Sequence, residues 1–169
     1  MSEAPAAVAP TLRRRLACAL YEGVVLFGVC LIPAVFSTLF DHLLGPGAAS
    51  RWAAQLTGFL CFGLYFVWLW TRTGQTLPMQ TWRIKLVTVA DGRLLRWPQA
   101  AWRYTLCWLW VAPAVLVSLW AGWAKWQMVA ACGIWMLLYG ALALLHRDRQ
   151  FLHDRLAGTR LVMAAPVAD

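Results

Sequence analysis

Charged residues are scarce in this chain of 169 residues. Asp, Glu, Lys and Arg together make up 13% of it, whereas about 25% is usual for globular proteins. The charges that are present lie between long uncharged stretches, and 62% of the residues are hydrophobic. This composition excludes an ordinary soluble domain, so we predict an all-α membrane protein that crosses the lipid bilayer several times.

The sequence also lacks the patterns that indicate metal binding or catalysis. Its five cysteines all lie within apolar stretches and form no CxxC pair, which argues against a disulfide framework and against a zinc site. HExxH, GxSxG, P-loop and dinucleotide-binding motifs are missing as well. We therefore predict a protein that is not an enzyme and uses no cofactor and no metal.

Four apolar runs have the length of about 20 residues that a membrane-spanning helix needs. The last three contain no charged residue, and Trp and Tyr lie near their ends, as in the aromatic belts of membrane proteins. Pro33 and Pro113 lie inside two of the runs and predict kinks there. We predict one domain over residues 1–169, a four-helix bundle with these helices: 16–40, 52–71, 104–124 and 126–145.

All but two of the 15 basic residues lie in the N-terminal segment, in the loop 72–99 with its rim, or in the tail 146–169. The positive-inside rule therefore predicts that both termini and this middle loop are cytoplasmic. The net charge of +8 suits the flanks of membrane helices in this arrangement, so nucleic acid is not a predicted partner.

The middle cytoplasmic loop contains the pattern of a β-hairpin. Residues 82–89 are rich in β-branched and apolar side chains, Asp91-Gly92 is a strong turn signal, and residues 93–97 follow as the second strand. We predict a small hairpin between helices 2 and 3, for which residues 159–163 of the tail are a candidate third strand. An amphipathic interfacial helix is the alternative for residues 79–89.

Glu22 is the one acidic residue inside an apolar run. A charged side chain in hydrocarbon costs about 2.5–3.5 kcal/mol on insertion scales, so such residues are usually paired or functional. Arg15 lies seven positions earlier, two helical turns away and on the same helix face. We predict that Arg15 and Glu22 form an intramembrane pair.

Gly74-Gln75-Thr76 follows the second predicted helix. One interpretation is a helix that ends at a glycine cap. The other is a re-entrant turn whose backbone and hydroxyl groups face the helix bundle. The tripeptide alone fits both interpretations.

The tail from His146 to Thr159 is dense in titratable side chains. Asp148 fits a solvated charge cluster, whereas Asp154 has small and apolar neighbours that indicate packing against the membrane face. His146 and His153 belong to the residue type that titrates near neutral pH. Two histidines seven positions apart without a third ligand do not indicate a metal site.

Three segments of the chain, in the order RRLACALYEG, GQTLPMQTWRIKLVTVADGR and FLHDRLAGTRLV, resemble the RDD family of small bacterial multi-pass membrane proteins. The family takes its name from an Arg and an Asp in the first helix and a second Asp further along. By this resemblance Arg15 matches the family Arg, Glu22 stands where Asp is usual, and Asp154 matches the second Asp. Pro78 stands where the family usually has Gly.

The resemblance implies a location in the bacterial inner membrane, with Arg15, Glu22 and Asp154 as an ion-coupling or buried polar network. Transport is generally proposed for the family, with ion or proton exchange suggested for some members. The resemblance also assigns a secondary set of motif residues: Gly74, Gln75, Thr76, His153, Arg155, Gly158 and Thr159.

Two functions agree with these features. The first is a transporter or proton-coupled exchange component, which four helices would form more readily as a homo-oligomer. The second is a structural or regulatory membrane module, in which the same network fixes the fold and the cytoplasmic loop and tail bind a protein partner. The sequence does not name a transported species.

Overall fold

The fold is known from a computed structural model that describes residues 9–142 and 150–164. The helices account for most of these residues, and two short strands form one sheet. The helices are α1 (Leu12–Val29), α2 (Leu31–Leu44), α3 (Ala48–Arg72), α4 (Leu77–Thr81), α5 (Trp97–Cys107), α6 (Ala112–Trp120), α7 (Lys125–Leu142) and α8 (Leu152–Leu156). The strands are β1 (Ile84–Thr88) and β2 (Thr159–Met163), and a 3-10 turn at Trp108–Trp110 follows α5.

The first predicted helix is divided into α1 and α2 at Cys30. Pro33 explains the position of this break, because proline has no backbone N–H to donate to the carbonyl four residues earlier. That carbonyl belongs to Val29, the last residue of α1. The interruption predicted from Pro33 therefore lies one turn before the proline.

Pro113 has the corresponding effect between α5 and α6, whose axes differ by 48°. The carbonyl that loses its helical partner is that of Leu109, four residues earlier. The indole Nε1 of Trp135 on α7 donates a hydrogen bond of 2.8 Å to this oxygen. A side chain from a neighbouring helix thus satisfies the acceptor that the proline leaves open.

Two helical stretches of the described residues are long and apolar enough to cross a membrane, Leu12–Leu44 and Ala48–Thr81. A third is present if the bent pair Trp97–Trp110 and Ala112–Trp120 forms one span. Helix α7 covers most of the predicted fourth span, whose residues 143–145 lie outside the described part. The chain is mostly helical, and its described residues contain two or three candidate membrane-spanning segments.

Large apolar side chains cover the outer faces of the long helices, as lipid contact requires. Examples from α1, α6 and α7 are Leu20, Trp120 and Leu137, which are all exposed. The buried core instead lies where α3, α5, α4 and β1 meet, around Trp70 and Leu86. The candidate site is built at this junction.

The sheet corrects the predicted hairpin. Strand β1 pairs antiparallel with β2 of the tail, with Leu86 opposite Leu161 at the centre of the register. Residues 93–97 form no strand, and the sheet of the described residues has two strands. The candidate third strand is therefore the actual partner of β1.

The local turn at Asp91-Gly92 is present, so the error concerns only the residues after the turn. The Thr88 N–H still donates to the Arg93 carbonyl at 2.9 Å. Leu95 then turns into the core, where it is buried, and Pro98 lies in the first turn of α5, two residues after the Arg96 N-cap. Residues 93–97 form no second strand because Leu95 is buried in the core and α5 begins directly after Arg96. The alternative helix over residues 79–89 is wrong from residue 82 onward, since α4 ends at Thr81 and β1 follows.

Candidate functional site

Glu22 on α1 accepts two hydrogen bonds from hydroxyl groups of other segments. Tyr65 on α3 donates to Oε1 at 2.9 Å, and Thr76 donates to Oε2 at 2.5 Å. Each carboxylate oxygen thus has a neutral partner that is able to donate or to accept a hydrogen bond. We call Glu22, Tyr65 and Thr76 the Glu22 site.

The loop after α3 places Thr76 at this site. Gly74 has a φ of +72° and ends α3, which is the glycine cap of the first interpretation. Thr76 is fully buried at the N-cap of α4 and faces Glu22, which is the second interpretation. Gln75 fastens the loop to β1, because its Nε2 donates to the Ile84 carbonyl at 2.7 Å. Both interpretations describe part of the same turn.

Gly74→Ala is expected to destabilise the protein by more than about 2 kcal/mol, because two costs combine. A left-handed φ alone costs an alanine roughly 1–2 kcal/mol, and its Cβ would also lie 2.7 Å from Leu94 Cδ2 and 2.9 Å from the Leu86 carbonyl oxygen. Gly92→Ala is the matched control, since Gly92 has a φ of +70° and nothing within 4 Å of a Cβ. Unfolding in detergent should show the larger loss for Gly74→Ala. Equal losses would show that the close packing of this loop does not matter.

Asp154 on α8 forms a buried ion pair with Arg103 on α5. The Nε and Nη2 of Arg103 both donate to Oδ1, at 2.9 and 2.6 Å. The Arg103 guanidinium carbon also lies 4.2 Å from the ring centroid of Trp70, in cation–π geometry. Thr159 donates to the backbone carbonyl of Asp154 at 3.2 Å. We call Arg103, His153 and Asp154 the Asp154 site.

Electrostatics keep Asp154 ionised although it is fully buried. Burial disfavours the carboxylate, but the positive charge of Arg103 and its hydrogen bonds, with a contribution from Arg15, outweigh it. The net result is a pKa of Asp154 below its ordinary value. The charge of Arg15 thus acts on Asp154.

His153 is enclosed between aromatic rings. Its imidazole stacks on Phe151 and on Tyr139, with ring centroids 5.6 and 6.1 Å away. Its Nδ1 lies 3.0 Å from the Tyr139 hydroxyl, and its Nε2 lies 3.6 Å from Asp154 Oδ1. Burial lowers the pKa of His153 to about 4, although Asp154 opposes this shift. His153 is therefore neutral at physiological pH.

The low pKa of His153 predicts that the protein loses stability as the pH falls. The unfolded chain takes up a proton near pH 6.5, whereas the folded chain resists it down to a pH of about 4. The free energy of unfolding should therefore fall by about 3 kcal/mol through this window. Thermal unfolding in detergent at pH 7.5 and pH 4.5 measures the difference. His153→Gln should flatten this dependence and His42→Gln, on an exposed position of α2, should keep it; a steep dependence in His153→Gln would assign it to other groups.

Arg103, which the sequence analysis did not select, lies between the two predicted acids in its electrostatic effect. Arg103 binds Asp154 directly, and its positive charge also acts on Glu22. The Nε of Arg15 donates to the Pro10 carbonyl at 3.1 Å, and its charge acts on Asp154. A direct pair of Arg15 with Glu22 stays a prediction.

The remaining motif residues of the tail support β2 and the end of α8. Gly158 has a φ of +63° between α8 and β2, and Gln99 on α5 donates to the Ala157 carbonyl beside it at 2.9 Å. Thr159 is buried, whereas Arg155 is exposed. His146 and Asp148 lie outside the described residues.

Arg103, Tyr65 and Tyr139 are the contributors that sequence reasoning missed. Arg103 lies at the rim of the middle loop, where a basic residue indicates membrane topology and not a specific partner. Tyr65 and Tyr139 each lie within an apolar run, and the polar hydroxyl of the side chain is their only signal in the sequence. Neither tyrosine has a sequence neighbour that indicates its partner.

Metal ligands do not converge in the part of the chain that the structure describes, since no three His, Cys, Asp or Glu side chains come together there. The thiol of Cys107 lies beside the Asp154 site, with its Sγ 3.8 Å from Nη1 of Arg103. That the protein uses no metal and no cofactor stays a prediction.

Comparison with known protein families gives a match to the RDD family over residues 9–158. This range includes α1 to α8 and all residues of the Glu22 and Asp154 sites. Comparisons with curated proteins and with solved structures give no match. The assignment to the family therefore rests on the sequence. The description of the two sites rests on the geometry of this structure.

Proposed function

This chain belongs to the RDD family, and from this premise we propose that it is a proton-coupled transport component of the bacterial cytoplasmic membrane. The observation that supports this proposal is the Glu22 site, a carboxyl group within a membrane-spanning stretch whose hydrogen bonds come from two hydroxyls. Intramembrane acids are the groups through which proton relays operate. In this proposal Glu22 takes up and releases the coupling proton.

Glu22 and Asp154 have different partners, and this difference supports different roles for the two acids. A guanidinium stabilises only the ionised form of a carboxyl group, so Arg103 fixes the charge of Asp154. The hydroxyls of Tyr65 and Thr76 donate to a carboxylate and also accept from a carboxylic acid. Glu22 is therefore able to keep hydrogen bonds to both hydroxyls in either protonation state, which favours reversible proton exchange. Environments that separate two acids in this way are typical of proton-transfer sites.

The proposal includes a topology with both termini in the cytoplasm and α7 as the fourth span. Positive charge at the start of α1 and in the loop after α3 supports this orientation. The proposal also includes a homo-oligomer, because the four helices of one protomer are few to enclose a water-filled path. Association would bury part of the exposed apolar surface of α1, α6 and α7.

Ion flux in liposomes tests the proposal. Purified protein is reconstituted with a pH-sensitive dye inside, and sodium, potassium and proton gradients are imposed in turn. We expect a proton flux that the unmodified protein supports and that Glu22→Gln does not. No flux under any gradient would contradict proton coupling by this protein alone.

A structural or regulatory module is the second candidate, and one observation favours it. The Arg103–Asp154 pair is buried, and it joins α5 to the tail that also supplies β2. Buried ion pairs can have a purely architectural role. If Glu22→Gln lowers stability as strongly as a break in this pair and no flux exists, the module becomes the better account, with its protein partner at the loop and tail.

A further inference from the structure

The two edges of the β1–β2 sheet differ in how their backbone groups are paired. On the outer side of β1, the Leu86 N–H donates to the Gly74 carbonyl at 2.8 Å, and the Thr88 N–H donates to the Arg93 carbonyl at 2.9 Å. The segments before and after β1 therefore cover its edge. Covering an edge in this way is how proteins prevent a sheet from pairing with another chain.

The outer edge of β2 is not covered in the same way. The Ala164 N–H donates to the Arg83 carbonyl at 2.8 Å, so the even-numbered residues of β2 direct their backbone groups toward β1. Leu161 and Met163 therefore direct theirs away from β1. Both residues are partly exposed. Within the described part of the chain, their outward backbone groups form no hydrogen bond to another segment.

Open space lies beside this edge. A cavity of about 760 Å³ separates β2 from the start of α1 and is lined by each of residues 158–162. Neighbouring side chains of a strand point to opposite faces, so a cavity that consecutive residues line runs along the edge of the strand. A second cavity, of about 430 Å³, lies at Met163 and Ala164. The outer side of β2 therefore has room along the whole strand.

The charge beside the open edge is positive. Arg14 and Arg83 are exposed and line the second cavity, and Nη1 of Arg14 lies 3.4 Å from the Met163 Sδ. None of the described residues that line either cavity is acidic. A second copy of this chain would bring like charges together at the edge, whereas an acidic segment would pair with them.

We propose that the outer edge of β2 binds an extended acidic segment of a partner protein, which joins the sheet as a third strand. Main-chain hydrogen bonds to Leu161 and Met163 provide the affinity, as strand addition to an open edge generally does. Carboxylates that pair with Arg14 and Arg83 select an acidic sequence. This inference goes beyond proton transport and does not depend on it.

Peptide binding to the full-length protein in a non-ionic detergent tests the edge. The probe is a fluorescein-labelled heptapeptide of alternating valine and glutamate with blocked ends, and fluorescence anisotropy measures its Kd. One matched peptide has lysine in place of glutamate, and another has N-methyl groups in place of the backbone N–H donors. We expect each matched peptide to bind at least about tenfold more weakly, because each loses several hydrogen bonds or ion pairs.

Leu161→Pro tests the same contact from the protein side. Proline removes one N–H that points away from β1 and leaves the hydrogen bonds to β1 in place. Binding of the glutamate peptide should weaken roughly two- to tenfold, the effect of one lost hydrogen bond. Leu161→Ala is the matched control, because it shortens the same side chain and keeps the N–H. Met163→Pro repeats the test if Leu161→Pro does not fold.

A second pair of variants tests the charge. Arg14→Gln should weaken binding of the glutamate peptide. Arg93→Gln should not, because Arg93 is exposed at a turn and lines neither cavity. Glu22→Gln should keep peptide binding, so a failure of the partner site and a failure of proton transport are separate results.

Binding of the glutamate peptide that Leu161→Pro weakens and Leu161→Ala does not supports the proposal. The proposal is overturned if this peptide does not bind, if the lysine or the N-methylated peptide binds equally well, or if both Leu161 variants have the same effect. Self-association of the protein that Leu161→Pro abolishes would assign the edge to a second copy. Binding of dioctanoyl phosphatidylglycerol that Arg14→Gln weakens, without peptide binding, would assign the charge to a lipid headgroup. Either result would also overturn the proposal.

Discussion

The Arg103→Leu variant is expected to lose about 3–5 kcal/mol of its free energy of unfolding, because it leaves a buried carboxylate without its ionic partner. Asp154 is fully buried, and Arg103 is its direct ion-pair partner among the described residues. The variant also removes the cation–π contact with Trp70. Unfolding by SDS titration in mixed micelles, followed by tryptophan fluorescence and circular dichroism, measures the loss.

Two further variants separate the charge effect from a packing effect. Arg93→Leu removes an exposed arginine whose distance to Asp91 is 3.8 Å, and we expect no measurable change there because surface pairs contribute little. The double variant Arg103→Leu, Asp154→Leu should recover most of the loss, since no buried charge remains unpaired. A double variant as unstable as Arg103→Leu alone would assign the effect to packing.

The sequence predicted the family and the long apolar helices, because both depend on patterns along the chain. Apolar run length indicates the spans, and the missing N–H of Pro33 and Pro113 indicates their interruptions. The three motif segments indicated the family, and the match over residues 9–158 confirms it. Such features need no knowledge of which segments meet in space.

The contacts of the site could not be predicted in the same way, because they join distant segments. Spacing along one helix suggested Arg15 as the partner of Glu22. The hydroxyl partners of Glu22 lie 43 and 54 positions away, and Arg103 lies 51 positions from Asp154. The sheet shows the same limit, since a strong local turn signal concealed a long-range pairing of β1 with the tail.

The Glu22→Gln variant is expected to lose proton flux down to the level of protein-free liposomes. Glutamine keeps the size and the hydrogen-bonding capacity of the side chain but cannot take up a proton at this position. The fold should persist, because Tyr65 still has an amide oxygen to which it can donate. Flux is measured with the internal pH dye, at equal amounts of folded protein in each liposome sample.

Three comparisons make this result specific. Glu22→Asp, the usual family residue, should retain flux, since the acid is kept and only one methylene is lost. Tyr65→Phe and Thr76→Val each remove one hydroxyl partner and should slow the flux without abolishing it. Full flux in Glu22→Gln would exclude this carboxyl group as the carrier, even if the protein transports an ion.

Infrared difference spectroscopy tests most directly whether Glu22 exchanges a proton while Asp154 does not. Spectra of the reconstituted protein recorded between pH 4 and pH 9 report the carbonyl band of a protonated carboxyl group. We predict a band that appears and disappears with pH in the unmodified protein, is missing in Glu22→Gln, and persists in Asp154→Asn. A band that is unchanged in Glu22→Gln, or one that is missing in Asp154→Asn instead, would contradict the assignment of Glu22 as the proton carrier.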